Sequence, residues 1–281
     1  MKRLTHYFLT TLIFALTTAL PAGADCISDA LTKAAEGEHR AAAHVARNQY
    51  RHPVETLKFF GVTPQMTVVE ISPGGSGWYT EILAPFLRDH GALYLGSYDP
   101  ESSSEYYRRN AKKFADKLAA HPEVYDKAIL GIFDPAGKMD AAPAGSADLV
   151  VTFRNTHNWA SRGNAEAAFV AMYDYLKPGG VLGLVQHRGK ADQVYSGEDG
   201  YLSESQVITM AEAAGFVLLD KSEINANPRD TKDHPSGVWS LPPGYRLDGH
   251  EDMKDAMTAI GESDRMTLKF MRPVKVKNES S

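Results

Sequence analysis

The chain has 281 residues, 43% of them hydrophobic and 23% charged, with a formal net charge of −5 and an isoelectric point near 6.1. That balance excludes intrinsic disorder and collagen-like repeats, and it leaves enough chain to bury a full core. It also argues against a nucleic-acid surface, which would carry a clustered Lys/Arg excess.

Residues 1–24 read as a secretory signal peptide. Lys2 and Arg3 open it, Tyr7 to Leu20 is uncharged and apolar, and Ala22-Gly23-Ala24 is a small-x-small site with cleavage expected after Ala24. The apolar stretch falls short of the roughly 20 residues that span a bilayer. The positive-inside rule puts the body of the protein outside the cytoplasm, so the expected location is periplasmic or secreted, with the membrane met only through the leader during export. Cys26 is the single cysteine, which rules out an internal disulfide. Asp25 stands where a lipoprotein signal needs a small residue, and Cys26 is therefore read as unmodified.

Residues 25–60 form an expected N-terminal helical extension. Asp29 to Tyr50 is alanine-rich and favours helix on propensity; beyond the Arg51-His52-Pro53 break, Val54, Leu57 and Phe60 fall at helical spacing, with Gly61 as C-cap. Residues 61–281 form the main domain. Here the pattern alternates: strand 66–71, helix 77–89, strand 91–99, helix 103–121, strand 127–133, strand 147–154, helix 165–177 and strand 179–188. Such alternation implies an α/β, doubly wound, mostly parallel sheet. The last third differs, with a helix at 203–215 and strands at 216–224 and 265–273. Between those strands, residues 225–249 form a long loop rich in proline, glycine and charge, read as a lid or substrate-binding loop.

In an open parallel sheet, ligands bind beyond the carboxyl ends of the strands. The turn after the first strand carries Gly74, Gly75 and Gly77. It is not a phosphate-binding P-loop, because no Gly-Lys-Ser/Thr follows. A dinucleotide fingerprint fits poorly, with Thr80 where the third glycine belongs and the bulky Trp78 directly after the turn. Glu70, ending the first strand, would repel phosphates and favour an ammonium or sulfonium group, both of which S-adenosylmethionine has. A plain tight turn stays open as the alternative.

The stretch "VVEISPGGSGWYTEILAP" (Val68 to Pro85) resembles motif I of the class I S-adenosylmethionine-dependent methyltransferases, and "LKPGG" (Leu176 to Gly180) resembles the turn before their fifth strand. More narrowly, "RHPVETLKFFGV", "PGGSGWYTEILAP" and "VTFRNTHNW" resemble a group of bacterial exported predicted methyltransferases. The resemblance implies a Rossmann-like methyltransferase fold, a mostly parallel seven-stranded sheet with an antiparallel C-terminal strand, and S-adenosyl-L-methionine as cofactor. It implies that the backbone of Gly74, Gly75, Ser76 and Gly77 meets the methionine and ribose part, with Glu70 nearby. An acid at the end of the second strand usually accepts the ribose hydroxyls. The usual count lands on Ser97, and Asp99, two residues on and on the same strand face, is the candidate. Asp134 is the candidate for the adenine amino group, with local turn chemistry as the other reading.

Residues at the end of the fourth strand normally face the methyl group, and here they read Arg154, Asn155, His157, Asn158 and Trp159. His157 is the expected general base, Asn155 an orienting donor, and Trp159 a face for substrate or sulfonium; a structural histidine beside a packed tryptophan is the competing reading. Tyr50, Arg51 and His52 could close the pocket, and His187, Arg188, Asp233 and His234 could form the acceptor site. Asp233, His234 and His250 lack metal-ligand spacing, so no metal is expected. The expectation is methyl transfer to a small-molecule acceptor. A non-catalytic binder of S-adenosyl compounds or nucleosides, and a nicotinamide-dependent oxidoreductase, remain as alternatives.

Overall fold

Residues 22–274 are described in the computed structural model, so the expected signal peptide lies outside the described residues apart from Ala22–Ala24. Seven strands form one sheet: β1 (Thr67–Ile71), β2 (Ala92–Ser97), β3 (Ile129–Ile132), β4 (Ala147–Phe153), β5 (Leu176–His187), β6 (Val217–Ser222) and β7 (Arg265–Met271). Their order is β3-β2-β1-β4-β5-β7-β6. The pairs from β3 to β5 are parallel, and β7 runs antiparallel to both β5 and β6. This is the doubly wound sheet that the alternation of strands and helices implies, with the antiparallel C-terminal strand that the resemblance implies. The order reverses between β1 and β4, which places the switch-point crevice beyond their carboxyl ends.

The helices are α1 (Ala22–Ala35), α2 (Ala42–Val45), α3 (Asn48–Arg51), α4 (Pro53–Phe60), α5 (Thr80–Leu87), α6 (Glu105–Ala120), α7 (Pro122–Tyr125), α8 (Thr156–Ala160), α9 (Ala165–Tyr175), α10 (Glu204–Ala213) and α11 (Lys254–Ile260). None of the described helices is long and apolar enough to cross a membrane. Strand alternation sends neighbours to opposite faces. Val69 and Ile71 join Phe169, Met172 and Leu184 on one side of the sheet. Val68 joins Leu57, Phe60, Ile82, Leu83 and Phe114 on the other.

The single helix expected over 29–50 is broken into three pieces. The cause is Glu81, a buried carboxylate on α5 that draws the segment inward. Arg40 leaves the helical path to place its Nε 3.0 Å from Glu81. Its Nη1 then donates to the carbonyl of Ala35, as does Asn48 Nδ2 at 2.9 Å, which caps α1. Helix propensity yields to a buried charge that must be paired.

A close approach fixes Gly183, in β5. A Cβ there would lie 2.4 to 2.8 Å from three ring carbons of Phe60, itself fully buried. Gly183→Ala is expected to lower stability by about 1–3 kcal/mol through overpacking. Urea denaturation would read it as a lower midpoint at unchanged slope.

Candidate active site at the carboxyl ends of the strands

The turn after β1 needs left-handed backbone at Ser72 (φ 53°), Gly74 (φ 69°) and Gly77 (φ 57°). Only glycine adopts that region without strain, so Ser72 is a costly position for a side chain. Its hydroxyl is buried and has no hydrogen-bond partner among the described residues.

The glycines divide by what they face. A Cβ on Gly75 would lie 2.5 Å from Asn110 Oδ1, and one on Gly77 2.5 Å from the Phe114 ring; both belong to α6. Those two glycines let α6 lie directly on the turn. Gly74 alone of the three has open space for 4 Å around. The carbonyl of Ser76 accepts from Lys117 Nζ at 2.6 Å, again from α6.

Glu70 is buried and turns away from the crevice, accepting from Thr80 Oγ1 at 2.7 Å. Its place on the Val68 face of β1 puts it under α5 rather than in the open. Desolvation pushes its pKa up to about 7, against the opposing pull of Thr80 and Lys117. Trp78 is also taken up internally. The guanidiniums of Arg40 and Arg51 each lie over its ring, 4.6 Å from the centroid, and its Nε1 donates to His44 O at 3.1 Å.

Asp99 and Asp134 follow β2 and β3, and with Ser72, Asn158 and Trp159 they line one small cavity of about 60 Å³. Each aspartate uses Oδ1 for its own turn, accepting from Glu101 N at 2.8 Å and Ala136 N at 3.0 Å respectively. Neither Oδ2 has a hydrogen-bond partner among the described residues. Tyr98 stacks on Tyr107 at 4.6 Å, and Arg162 lies over Tyr107 at 5.0 Å. These three side chains close the cavity from outside. Tyr107 is half-buried and Arg162 exposed, so they form a cover rather than a core.

The segment after β4 scatters its side chains. Asn155 Nδ2, with two hydrogens, has four acceptors in reach, the carbonyls of Ile71 and Ser72 at 3.3 and 3.1 Å, Thr152 Oγ1 and Phe153 O, and so ties the end of β4 to the turn after β1. Trp159 is buried and packs on Phe133 at 5.7 Å. His157 is buried, with Nδ1 3.3 Å from Gln186 Oε1. Because Gln186 donates from Nε2 to Gly200 O at 2.8 Å, its Oε1 faces the ring and His157 Nδ1 carries the hydrogen. Burial lowers the His157 pKa to about 4, leaving a neutral ring at ordinary pH.

Arg154 points elsewhere. With His187, Arg47, Glu262, Ser263 and Arg265 it lines a second cavity of about 260 Å³, roofed by Val238, Trp239, Leu241, Pro242 and Pro243 of the long loop. That loop is pinned by Asp230, which accepts from Tyr201 Oη at 2.9 Å and from the backbone N–H of Asp264 at 2.8 Å, and contacts His234 at 2.8 Å. His187 is buried 5.5 Å from His157, its Nδ1 2.5 Å from Ser263 Oγ, and burial holds its pKa well below the usual histidine value. Arg188 faces outward to Glu223 and Asp264. Of the pocket-closing trio, Arg51 is buried against Glu262, the carbonyl of Tyr50 accepts from Arg265, and His52 turns the chain between α3 and α4 at φ 39°. His250 is exposed.

Two larger surface grooves, of about 740 and 550 Å³, lie between α1 and α5 and between α6 and β3. Neither contains a residue of the glycine turn or of the segment after β4.

No protein-family model matches the chain, and no curated protein matches it in sequence. Among solved structures, a SAM-dependent methyltransferase from Aquifex aeolicus is similar with TM-score 0.51 at 15% identity, over 87% of this chain and 97% of that one. The chain has the class I methyltransferase fold. The [4+2]-cyclase SpnF is similar with TM-score 0.56 at 15% identity, over 89% and 94% of the two chains. The S-adenosylmethionine-dependent methyltransferase SibL gives 0.50 at 14%, over 82% and 56%. A cyclase among these structures is a reminder that this fold carries more than one chemistry, so function must be argued from the site.

Proposed function

We propose that the protein transfers a methyl group from S-adenosylmethionine to a small-molecule acceptor. The observation that carries the reading is the convergence of Ser72, Asp99, Asp134, Asn158 and Trp159 on one cavity beyond the ends of β1, β2, β3 and β4. The groups fit a nucleoside: an unpartnered buried hydroxyl, open space at Gly74, two carboxylate oxygens with no protein partner, and aromatic walls. The room does not yet fit, since about 60 Å³ is well below the roughly 300 Å³ of ordinary ligand pockets. Binding therefore requires Tyr107 and Arg162 to swing out.

When bound, S-adenosylmethionine supplies a methyl group on a sulfonium that is already a good leaving group. Ser72 and Gly74 would hold its methionine and ribose part, Asp99 the ribose hydroxyls and Asp134 the adenine. The chain's remaining task is to align an acceptor and take its proton. His187 lines the second cavity in its neutral form and is the better-placed base. His157, enclosed behind it, is a positioning group. Arg154 orients the acceptor. The leader supports export to the periplasm or beyond, in keeping with the exported bacterial group that the motifs resemble.

Calorimetric titration with S-adenosylmethionine and S-adenosylhomocysteine tests this. Saturable binding is expected, weakened about tenfold or more by Asp99→Asn, the size of one lost charge-assisted hydrogen bond. No binding of either nucleoside would refute the proposal. Affinity without formation of S-adenosylhomocysteine on any acceptor would leave a binding protein.

A further inference from the structure

The second cavity holds more positive charge than the protein neutralises. We propose that it recognises the carboxylate of a small organic acid, the methyl acceptor, whose apolar body lies against the Trp239–Pro243 wall. The role as acceptor rests on the methyltransferase reading; the binding does not.

Arg47, Arg154 and Arg265 line the cavity and Arg51 stands behind it, against the one carboxylate of Glu262. Glu262 is already shared: Arg47 Nε lies 2.5 Å from it, Arg51 Nε 3.3 Å, and Arg265 Nη2 also donates to it. Arg154 makes no side-chain hydrogen bond or ion pair to any described residue. Four guanidiniums against one carboxylate leave three positive charges uncompensated. Both Nη atoms of Arg51, which lies over the Trp78 ring, and the Nε of Arg265 are buried without acceptors, so the charge on these atoms reaches the cavity through space and not by contact.

Such crowding is unfavourable in a partly enclosed cavity unless an anion completes it. Arg154 is nonetheless held there by a left-handed backbone (φ 64°) and by its N–H donating to Val185 O at 2.7 Å. A non-glycine residue in that conformation stores strain of the kind found where a side chain must be aimed.

The chemistry of the walls selects among anions. Guanidinium forks match planar carboxylates in bidentate geometry. Val238, Trp239, Leu241 and Pro242 add apolar surface that a bare inorganic anion could not use, in about 260 Å³. An acid with an aryl or alkyl body uses both.

The test is calorimetric titration of the full chain, without nucleoside, using benzoate, its uncharged isostere benzamide, and inorganic phosphate. Benzoate is expected to bind at one site, about tenfold or more tighter than benzamide, with affinity falling as salt rises. Arg154→Gln is expected to cost a similar factor, with the thermal transition recorded alongside. Should that variant fail to fold, Arg47→Gln, at a position with 24% side-chain exposure, carries the same comparison. Absent benzoate binding, equal affinity for benzamide, tighter binding of phosphate, or indifference to the substitutions would overturn the carboxylate assignment. Displacement of benzoate by S-adenosylhomocysteine would overturn the acceptor role and give the carboxylate site to the nucleoside's own methionine; simultaneous binding supports it. Failure of S-adenosylmethionine to bind would leave the benzoate result standing and refute only the methyltransferase reading.

Discussion

Glu262→Ala is expected to cost about 3–5 kcal/mol of folding stability, the penalty for removing one partner from a buried ion cluster. The carboxylate is 3% exposed and is the anion shared by Arg47, Arg51 and Arg265. Burial alone would raise its pKa, but Arg265, Arg51 and Arg47 overcome that and hold it well below the usual carboxylate range. The arginine pKa values fall too, which for a cation disfavours the charged form. Desolvation, then repulsion from Arg265, lowers Arg154 to about 10, and desolvation and Arg154 lower Arg51 as well. Without Glu262 the repulsion has no counterweight. Equilibrium denaturation in guanidinium-free urea would register the loss; a change below about 1 kcal/mol would mean that solvent already screens the cluster. Acetate should restore stability to the variant more than it adds to the parent, by mass action on the vacated anion position.

Glu81→Gln is expected to be comparably damaging, about 3–5 kcal/mol by the same reasoning. Glu81 is buried and meets Arg40 at 3.0 Å, His44 at 2.9 Å, and Lys117. It thereby fastens the N-terminal helices to α5 and α6. Burial would raise its pKa, but hydrogen bonds with His44 and Lys117 more than offset this and lower it from the ordinary 4.5 to about 2. A folded-state pKa below the unfolded one gives stability that is present above about pH 4.5 and lost as pH falls towards about 2. Acid unfolding monitored by circular dichroism should therefore show a stabilising contribution disappearing across that window, and the glutamine variant should lack it. An identical acid profile in both proteins would contradict the assignment.

Much of the fold was legible because its signals are periodic. Short runs rich in β-branched residues, such as Val68–Ile71 and Leu149–Val151, are buried on both faces of a parallel sheet, and the helices between them fall where the apolar spacing changes from 2 to 3.6. Alanine content favours one N-terminal helix because it does not register a distant buried carboxylate at Glu81. Spacing locates the glycine turn but cannot say what each glycine faces. Gly75 and Gly77 turn toward α6, some 30 residues later in the chain, and Glu70 shares the face of Val68 rather than that of Val69.

The candidate site divides in the same way. Asp99 and Asp134 could be found by counting from strand ends, and they line the same cavity. The second cavity has no motif. Arg154 and His187 stand out at strand ends, but Arg47, Trp239, Glu262 and Arg265 are unremarkable in their own sequence neighbourhoods, and the six come from five separate segments. The charged run Glu262–Arg265 stands at the entrance to β7, a mostly buried strand, but nothing in its spacing points to a site. Only the sheet order, which sets β4 beside β5 and β5 beside β7, makes these residues neighbours.

The most direct measurement is a crystal structure of the protein grown with saturating S-adenosylhomocysteine. The nucleoside is expected beyond the end of β1, its ribose on Asp99, its adenine by Asp134, and the Tyr98–Tyr107 stack opened to admit it. A closed stack with no nucleoside, or a nucleoside bound away from Ser72 and Gly74, would contradict that placement.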